Sequence, residues 1–347
     1  MAQKVYVGMS GGVDSSVTAA LLKQQGYAVT GVYMKNWSQD LPGFTCPWQE
    51  DYQDAKRVAV QLGIDFKMYD FETEYRHKVV DYMVKEYKAG RTPNPDIMCN
   101  QEVKFKLFLE TALEDGADLI ATGHYARIKD GQLYTGLDKS KDQSYFLYRV
   151  TEAALHKSLM PLGELQKTEV RQLAKKLNLA TAAKKDSQGI CFVGKVGIKE
   201  FLLHELGPQA PGPIINQQGR EIGRHDGAIF YTIGQRHGLN VGGGLPYYVT
   251  HKDMKTNAVY VTTDLDDREL WSQKITLQNV HWINQKPTAN KKYQARLRYR
   301  GPLVPCTIKL NKLSLDEPQR GLAAGQSAVL YSGEQLIGGG IVNRSTN

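Results

Sequence analysis

Lys4-Val5-Tyr6-Val7-Gly8-Met9-Ser10-Gly11-Gly12-Val13-Asp14-Ser15-Ser16 decides the fold of this chain. The apolar run 5–8 reads as a short strand that ends in a glycine-rich turn. Val17, Ala19, Ala20, Leu21 and Leu22 then continue as a helix. Such a turn bares successive backbone N–H groups at the positive end of a helix, which suits a phosphate. Gly11 and Gly12 permit close approach and positive φ, and Ser10, Ser15 and Ser16 add hydroxyl donors. A Walker-type loop would carry Lys before Ser or Thr, and none is here. An ordinary strand–turn–helix corner would not need six specified residues in this order.

Outward from the loop, strand and helix alternate. Strands are predicted at 28–34, 65–69 and 118–122, the last opening onto Gly123-His124-Tyr125. Helices are predicted at 50–62, 75–89 and 104–115, with 36–49 as a mobile loop around Pro42-Gly43 and Pro47. Residues 151–180 read as helical, with Thr168 as a cap. The alternation predicts an α/β fold with a parallel sheet covered on both faces. Ligands of such sheets sit beyond the carboxyl ends of the strands, where the first loop, Met34 and Gly123 fall.

Gly207-Pro208 and Pro211-Gly212-Pro213 mark a change to turn-rich β sequence such as Ile214–Ile222 around Gln218-Gly219, with two strands of a hairpin-like unit expected at 247–250 and 258–262. Five more are expected at 275–283, 293–300, 306–310, 327–331 and 336–342, enough for a small barrel. The expected domains are therefore a catalytic α/β domain at 1–205, a small β-rich central domain at 206–270 and a basic C-terminal β-barrel at 271–347.

The net charge of +8 over 347 residues is unevenly placed. From 271 to 347 there are eleven Lys and Arg against three Asp and Glu, and the rest of the chain is balanced. That is the footprint of a module that meets nucleic acid, although a solvated basic surface has the same composition. Apolar runs are too short to cross a membrane, and strand-like sequence from Lys4 leaves no room for a leader. Cys46, Cys99, Cys191 and Cys306 lack paired zinc spacing and read as thiols, which points to the cytoplasm.

Two cysteines have distinctive surroundings. Pro93-Asn94-Pro95-Asp96-Ile97-Met98-Cys99-Asn100 places Asp96 and Cys99 on a proline-stiffened loop ahead of a helix. A carboxylate there can move a proton, and a helix N-terminus favours a thiolate. Lys185-Asp186-Ser187-Gln188-Gly189-Ile190-Cys191-Phe192 sets the second thiol after Lys184 and Lys185, which can lower its pKa. Read singly, each is more often a small buried hydrophobe. Tyr293-Gln294-Ala295-Arg296-Leu297-Arg298-Tyr299-Arg300 alternates, which would put three arginines on one strand face toward RNA or toward solvent. Tyr145, Phe146 and Tyr148 read as core, and His124 as a hydrogen-bonded loop residue rather than a metal ligand.

SGGVDS at 10–15 resembles the pyrophosphate loop of the ATP pyrophosphatases. Taken with the N-P-D-x-x-C-N and D-S-x-G-I-C-F runs, Ala121-Thr122-Gly123-His124-Tyr125, Lys141-Asp142-Gln143-Ser144-Tyr145-Phe146-Leu147 and Tyr231-Thr232-Ile233-Gly234-Gln235-Arg236, the chain resembles the bacterial tRNA-specific 2-thiouridylases over essentially its whole length. The resemblance implies an enzyme, a tRNA-uridine 2-sulfurtransferase. ATP would be held by Gly8, Met9, Ser10, Gly11, Gly12, Val13, Asp14 and Ser15, with Met34 and Gly123 at the adenosine, and Mg2+ would accompany the phosphates. The C2 oxygen of the wobble uridine (position 34) of the Lys, Glu and Gln acceptors would be adenylated, with release of pyrophosphate and later AMP. Cys191 would carry a persulfide from a donor protein. Cys99 would be the catalytic nucleophile, able to release sulfide by forming a disulfide with Cys191, the residues being compatible with attack on C2 by either the persulfide or freed sulfide, and Asp96 would be an acid or base. Asn94, Pro95 and Asp96 would face the target base, while Lys141, Asp142, Gln143, Arg298, Tyr299 and Arg300 would touch tRNA. A monomer is expected. Pyrophosphate-loop enzymes with amine nucleophiles would not need the two cysteines, and a tRNA-binding or redox protein with a vestigial loop would not cleave ATP.

Overall fold

Val5 and Val7 are fully buried and Tyr6 nearly so, so the first strand is covered on both faces and lies inside its sheet. The computed structural model describes residues 2–186, 197–239, 241, 242, 244 and 246–346. The strands of the first half are β1 (Lys4–Gly8), β2 (Ala28–Lys35), β3 (Asp65–Asp70), β4 (Leu119–Ala121), the hairpin β5 (Ala126–Lys129) and β6 (Gln132–Thr135), and β7 (Ser158–Leu159). They form a parallel sheet of order β3-β2-β1-β4-β7. The chain runs outward from β1 to β3 on one side and resumes with β4 on the other. The switch point therefore lies between β1 and β4, where a crevice opens beyond their carboxyl ends.

Helices cover both faces. On one, α1 (Val13–Gln24) and α2 (Trp48–Leu62) bury Val17, Leu22, Ala55 and Val58 with Val5 and Val7. On the other, Val79, Met83, Val103 and Phe108 pack on Tyr6, Val32 and Ile120. The expected strands and helices up to residue 122 recur within a few residues. Residues 151–180 are not helical throughout but divide into Glu152–His156, the strand β7, a 3-10 turn at Pro161–Glu164 and Lys167–Lys176. Three further corrections apply. Helix begins at Pro95, not near 104, and runs through Pro95–Met98, the π-wound Cys99–Leu107 and Phe108–Glu114. Proline suits the first helical position because its missing N–H would be unpaired there anyway. Thr168 is not a cap. Gln166 starts Lys167–Lys176, and its N–H donates to Glu169 Oε2 at 2.6 Å in a capping box. Residues 36–49, expected to be mobile, bury Trp37 and Leu41 in the core, and Leu41 pairs with Phe44.

The central segment folds as a four-stranded sheet of β8 (Gly212–Ile215), β9 (Glu221–His225), β10 (Tyr248–Asp253) and β11 (Ala258–Thr262), in the order β10-β11-β8-β9. The last segment, β12 (Trp271–Trp282), β13 (Tyr293–Arg296), β14 (Leu303–Lys309), β15 (Lys312–Arg320), β16 (Ser327–Ser332) and β17 (Gln335–Thr346), closes into a six-stranded barrel through a β12–β17 pairing. β6 adds to β17 through Leu133 opposite Leu336, so a hairpin of the α/β half extends the barrel wall. Among the described residues no helix is long and apolar enough to cross a membrane.

Candidate active site

The turn after β1 lies at the switch point. Gly12 occupies the N-cap of α1 with no side-chain cap, so the first-turn N–H groups are left to a ligand. Ser15 shapes the turn: its Oγ accepts from the Ser10 N–H at 3.2 Å and donates to the Gly12 carbonyl at 3.2 Å. Gly11 has φ +72°, and a side chain there would overlap the backbone of Asp51 at the start of α2. A Cβ on Gly8 would lie 2.9 Å from Met34 Cε, and one on Gly123 3.0 Å from the Ser15 nitrogen. The three carboxyl ends thus bring Gly8, Met34 and Gly123 against the loop as expected. The Ser15 and Ser16 hydroxyls are spent on the Gly12 carbonyl, so it is the uncapped helix end with the exposed Ser10 beside it that fits a polyphosphate. Among the described residues no group of three His, Cys, Asp or Glu could cage a metal. Mg2+ held by phosphate oxygens and water needs no such cage.

Asp14 poses an electrostatic problem, since a carboxylate in the first turn repels a phosphate. Lys167 answers it, with Nζ 2.7 and 2.8 Å from the two carboxylate oxygens, and the Tyr125 hydroxyl donates to Asp14 at 2.8 Å. Burial and Asp14 together push the Tyr125 phenol far above its usual range, so it remains a donor. Lys167 also pairs with Asp186 at 2.9 Å, as does Lys141 at 2.9 Å, and Arg171 completes the cluster. Although burial opposes it, hydrogen bonds from Lys141 and Lys167 hold the Asp186 carboxyl well below its usual range. Lys167, Tyr125 and Asp186 were not identified from sequence as part of this site. Tyr125 lies in a recognised run, but nothing local in sequence joins Lys167 to a loop 153 positions away.

Asn94 is the N-cap of the helix that carries Asp96 and Cys99, its Oδ1 accepting from the Asp96 and Ile97 N–H groups at 3.1 and 3.3 Å. Asp96 is half-buried in the first turn. Cys99 is only 1% exposed within the core, so chemistry through its sulfur requires neighbouring elements to part. Cys191 lies outside the described residues, and the chain approaches it from Asp186, five positions earlier. Lys184 pairs with α2, 2.7 Å from Asp51 and 2.6 Å from Asp54, and the effect expected of it on Cys191 falls outside the described residues. His124 is buried with Nδ1 2.8 Å from Thr122 Oγ1, and burial holds its pKa well below the usual value.

The runs assigned to tRNA converge, with changes of role. Gln143 accepts the Tyr125 N–H at 3.0 Å, beside Asp14. Asn100 donates to the Phe146 carbonyl at 3.3 Å, and the Phe146 ring lies 4.4 Å from Tyr299. One connected patch therefore joins the Asn94 helix, the 141–147 run and the 298–300 turn. The alternating arginine face does not form. β13 ends at Arg296, whose guanidinium turns inward to Asp142 at 2.7 Å over the Tyr331 ring. Arg298 and Arg300 are exposed in the turn beyond, closed by Gly301 N–H donating to the Arg298 carbonyl, with Arg300 at φ +59° above Tyr299. Asp142, 3% exposed, is a structural hub that also accepts from the Gly136 and Ser144 N–H groups. Tyr145 and Tyr148 are fully buried, as expected of core.

Sheet, loop and β-rich additions define an α/β protein with two appended β modules. Family models described as the tRNA methyl transferase HUP domain, the tRNA methyl transferase PRC-barrel domain and the aminomethyltransferase beta-barrel domain match residues 3–195, 199–263 and 272–342. A tRNA-specific 2-thiouridylase MnmA 2 of Geobacillus kaustophilus is 48% identical, covering 98% of this chain and 94% of that protein. The MnmA proteins of Bacillus subtilis and Bordetella avium are each 47% identical, covering 98% of this chain and 95% and 97% of theirs. The chain belongs to the tRNA-specific 2-thiouridylase family.

Proposed function

We propose that this chain is a cytoplasmic, ATP-dependent sulfurtransferase that replaces the C2 oxygen of the wobble uridine of tRNA (Lys, Glu and Gln acceptors) with sulfur. The observation that carries the reading is the uncapped, serine-lined turn at the β1/β4 switch point, with Met34 and Gly123 beside it and the Asn94 helix linked to the same patch. Backbone N–H groups of residues 8–15 bind the phosphates of ATP, Mg2+ accompanies them, and Lys167 cancels the Asp14 charge. The uridine C2 oxygen attacks the α-phosphorus and pyrophosphate leaves, so that AMP becomes the later leaving group.

Sulfur reaches Cys191 as a persulfide from a donor protein. The terminal sulfur bonds to C2 and the C–O bond to AMP breaks. The Cys99 thiolate attacks Cys191 Sγ and the bond from Sγ to the transferred sulfur breaks, so that sulfur stays on C2 as the thiocarbonyl and a Cys99–Cys191 disulfide is left for a cellular thiol to reduce before the next turnover. Asp96 shuttles the proton, and Asn94, Pro95 and Asp96 face the base. Arg298, Tyr299, Arg300, Lys141 and Gln143 meet the RNA, while Asp142 acts from within. The chain works as a monomer, built of the catalytic 1–205, central 206–270 and C-terminal 271–347 domains.

Unmodified tRNA incubated with ATP, Mg2+ and either sulfide or a persulfide donor, followed by nucleoside mass analysis, tests the reading. 2-Thiouridine with tRNA-dependent AMP and pyrophosphate release is expected. Its absence with folded protein under both sulfur sources overturns the proposal.

A further inference from the structure

The run Tyr231-Thr232-Ile233-Gly234-Gln235-Arg236 has no part in the chemistry above, yet it touches the segment that leads into the Asn94 helix. Thr232 Oγ1 lies 3.0 Å from Thr92 Oγ1. The Thr92 N–H donates to the Ala324 carbonyl at 2.8 Å, and its carbonyl accepts from Gln326 Nε2 at 2.7 Å. Every polar group of Thr92 is thus taken by a residue of the central or C-terminal segment. Two positions later comes Asn94, the cap of the helix that carries Asp96 and Cys99.

The holders are themselves fixed. The Thr232 N–H donates to Gln235 Oε1 at 2.9 Å, and the Gly234 N–H to the Val249 carbonyl at 2.7 Å. A Cβ on Gly234 would lie 2.9 Å from Gly321 Cα, so the two segments meet backbone to backbone. Gly325, at φ +93°, leaves no room for a side chain, since a Cβ would lie 2.8 Å from the Thr92 nitrogen. On the other side, Arg91 makes a two-pronged pair with Glu86, both bonds 2.6 Å long. Pro93 and Pro95 each have a fixed φ, so a shift at Thr92 is transmitted to Asn94 rather than absorbed.

We propose that Thr92 is a positioning residue through which the central and C-terminal segments set the Asn94 helix for the target uridine, with Thr232 and Gly325 as its determinants. This rests on the thiolation reading. The helix carries the groups that must meet the base, and an error of about 1 Å in such a group costs as much as 100-fold in rate.

The test compares Thr92→Val, Thr92→Ser, Thr232→Val and the double Thr92→Val/Thr232→Val in the full chain. Amide hydrogen exchange over residues 92–100 needs no activity and is read first. Both single valine variants are expected to exchange faster there, with ATP affinity at the wild-type value. In single-turnover thiolation the valines should lose roughly tenfold in kcat while KM for tRNA stays within about twofold. The double should be no worse than either single, because both delete one contact. Thr92→Ser, which keeps the hydroxyl, should match wild type in every readout. Wild-type exchange in both valines, multiplicative losses in the double, or a serine variant as impaired as valine would each overturn the assignment. Should wild-type protein make no 2-thiouridine, the functional reading falls, while the exchange pattern still decides whether Thr92 holds the helix.

Discussion

Asp14 illustrates how much one residue's role depends on a distant partner. Its place in the first turn of α1 favours the helix dipole and opposes a phosphate, and Lys167 reverses the second effect by lying within 2.8 Å of both oxygens. Lys167→Met should therefore raise the ATP dissociation constant roughly tenfold, the weight of one charge-assisted contact. Calorimetric titration measures it, and an unchanged constant would remove Lys167 from the site. Asp186, 30% exposed, collects three cations, and Asp186→Asn should cost about 1–2 kcal/mol at neutral pH, a buried-pair loss discounted for exposure. Its pKa is lowered in the folded state, so the stabilisation is complete above the unfolded value near 4 and is lost as pH falls through the lower folded value. Urea midpoints of wild type and variant should differ constantly from about pH 7 to 5 and converge below about pH 4. A gap that persisted into strong acid would contradict the ionic account. The turn after β1 was legible because its conformation is local, glycine for positive φ and serine for the bonds that shape it. Lys167 and Asp186 were not, because only the folded sheet brings them to it.

At the scale of elements, errors came where local pattern and pairing partner disagree. Prolines at 93 and 95 suggested a loop, whereas Pro95 opens the helix and Asn94 caps it. β15 went unread because Asp316, Glu317 and Pro318 interrupt its alternation. Pro318 falls where the register with β12 slips between Ser272 and Lys274, a place where a missing N–H costs no ladder bond. The β5–β6 hairpin carried its signal in Asp130-Gly131, both at positive φ, but its strands of four residues are too short to stand out. The cap yields a clean prediction. Asn94→Ala should lose about 1 kcal/mol of stability, and Asn94→Asp, which keeps the accepting oxygen, much less. Denaturant unfolding measures both. Equal losses in the two would mean that the amide, not the cap, is what the fold requires.

Across the whole molecule, the basic excess of the last 77 residues is not one surface but two populations with opposite duties. Arg298 and Arg300 are exposed and available to phosphate, whereas Arg296 is spent internally, joining the barrel to the 141–147 run through Asp142. The Asp142 side chain is 1% exposed and that of Arg296 14%, so removing one partner strands a charge. Arg296→Met should cost about 3 kcal/mol, and Asp142→Asn added to it should recover much of that, because an apolar or neutral pair avoids the desolvation of both ions. Arg298→Ala should instead leave stability within about 0.5 kcal/mol. Its effect belongs on tRNA, as weaker affinity and a salt dependence of log K lowered by about one unit. Urea unfolding and tRNA binding over a salt series, run on both variants, separate the two duties. The charge pattern predicts a stability loss with the wild-type salt slope for Arg296→Met, and the converse for Arg298→Ala. If Arg296→Met flattened the slope as Arg298→Ala does, both arginines would face RNA and the inward pair with Asp142 could not be what holds the barrel.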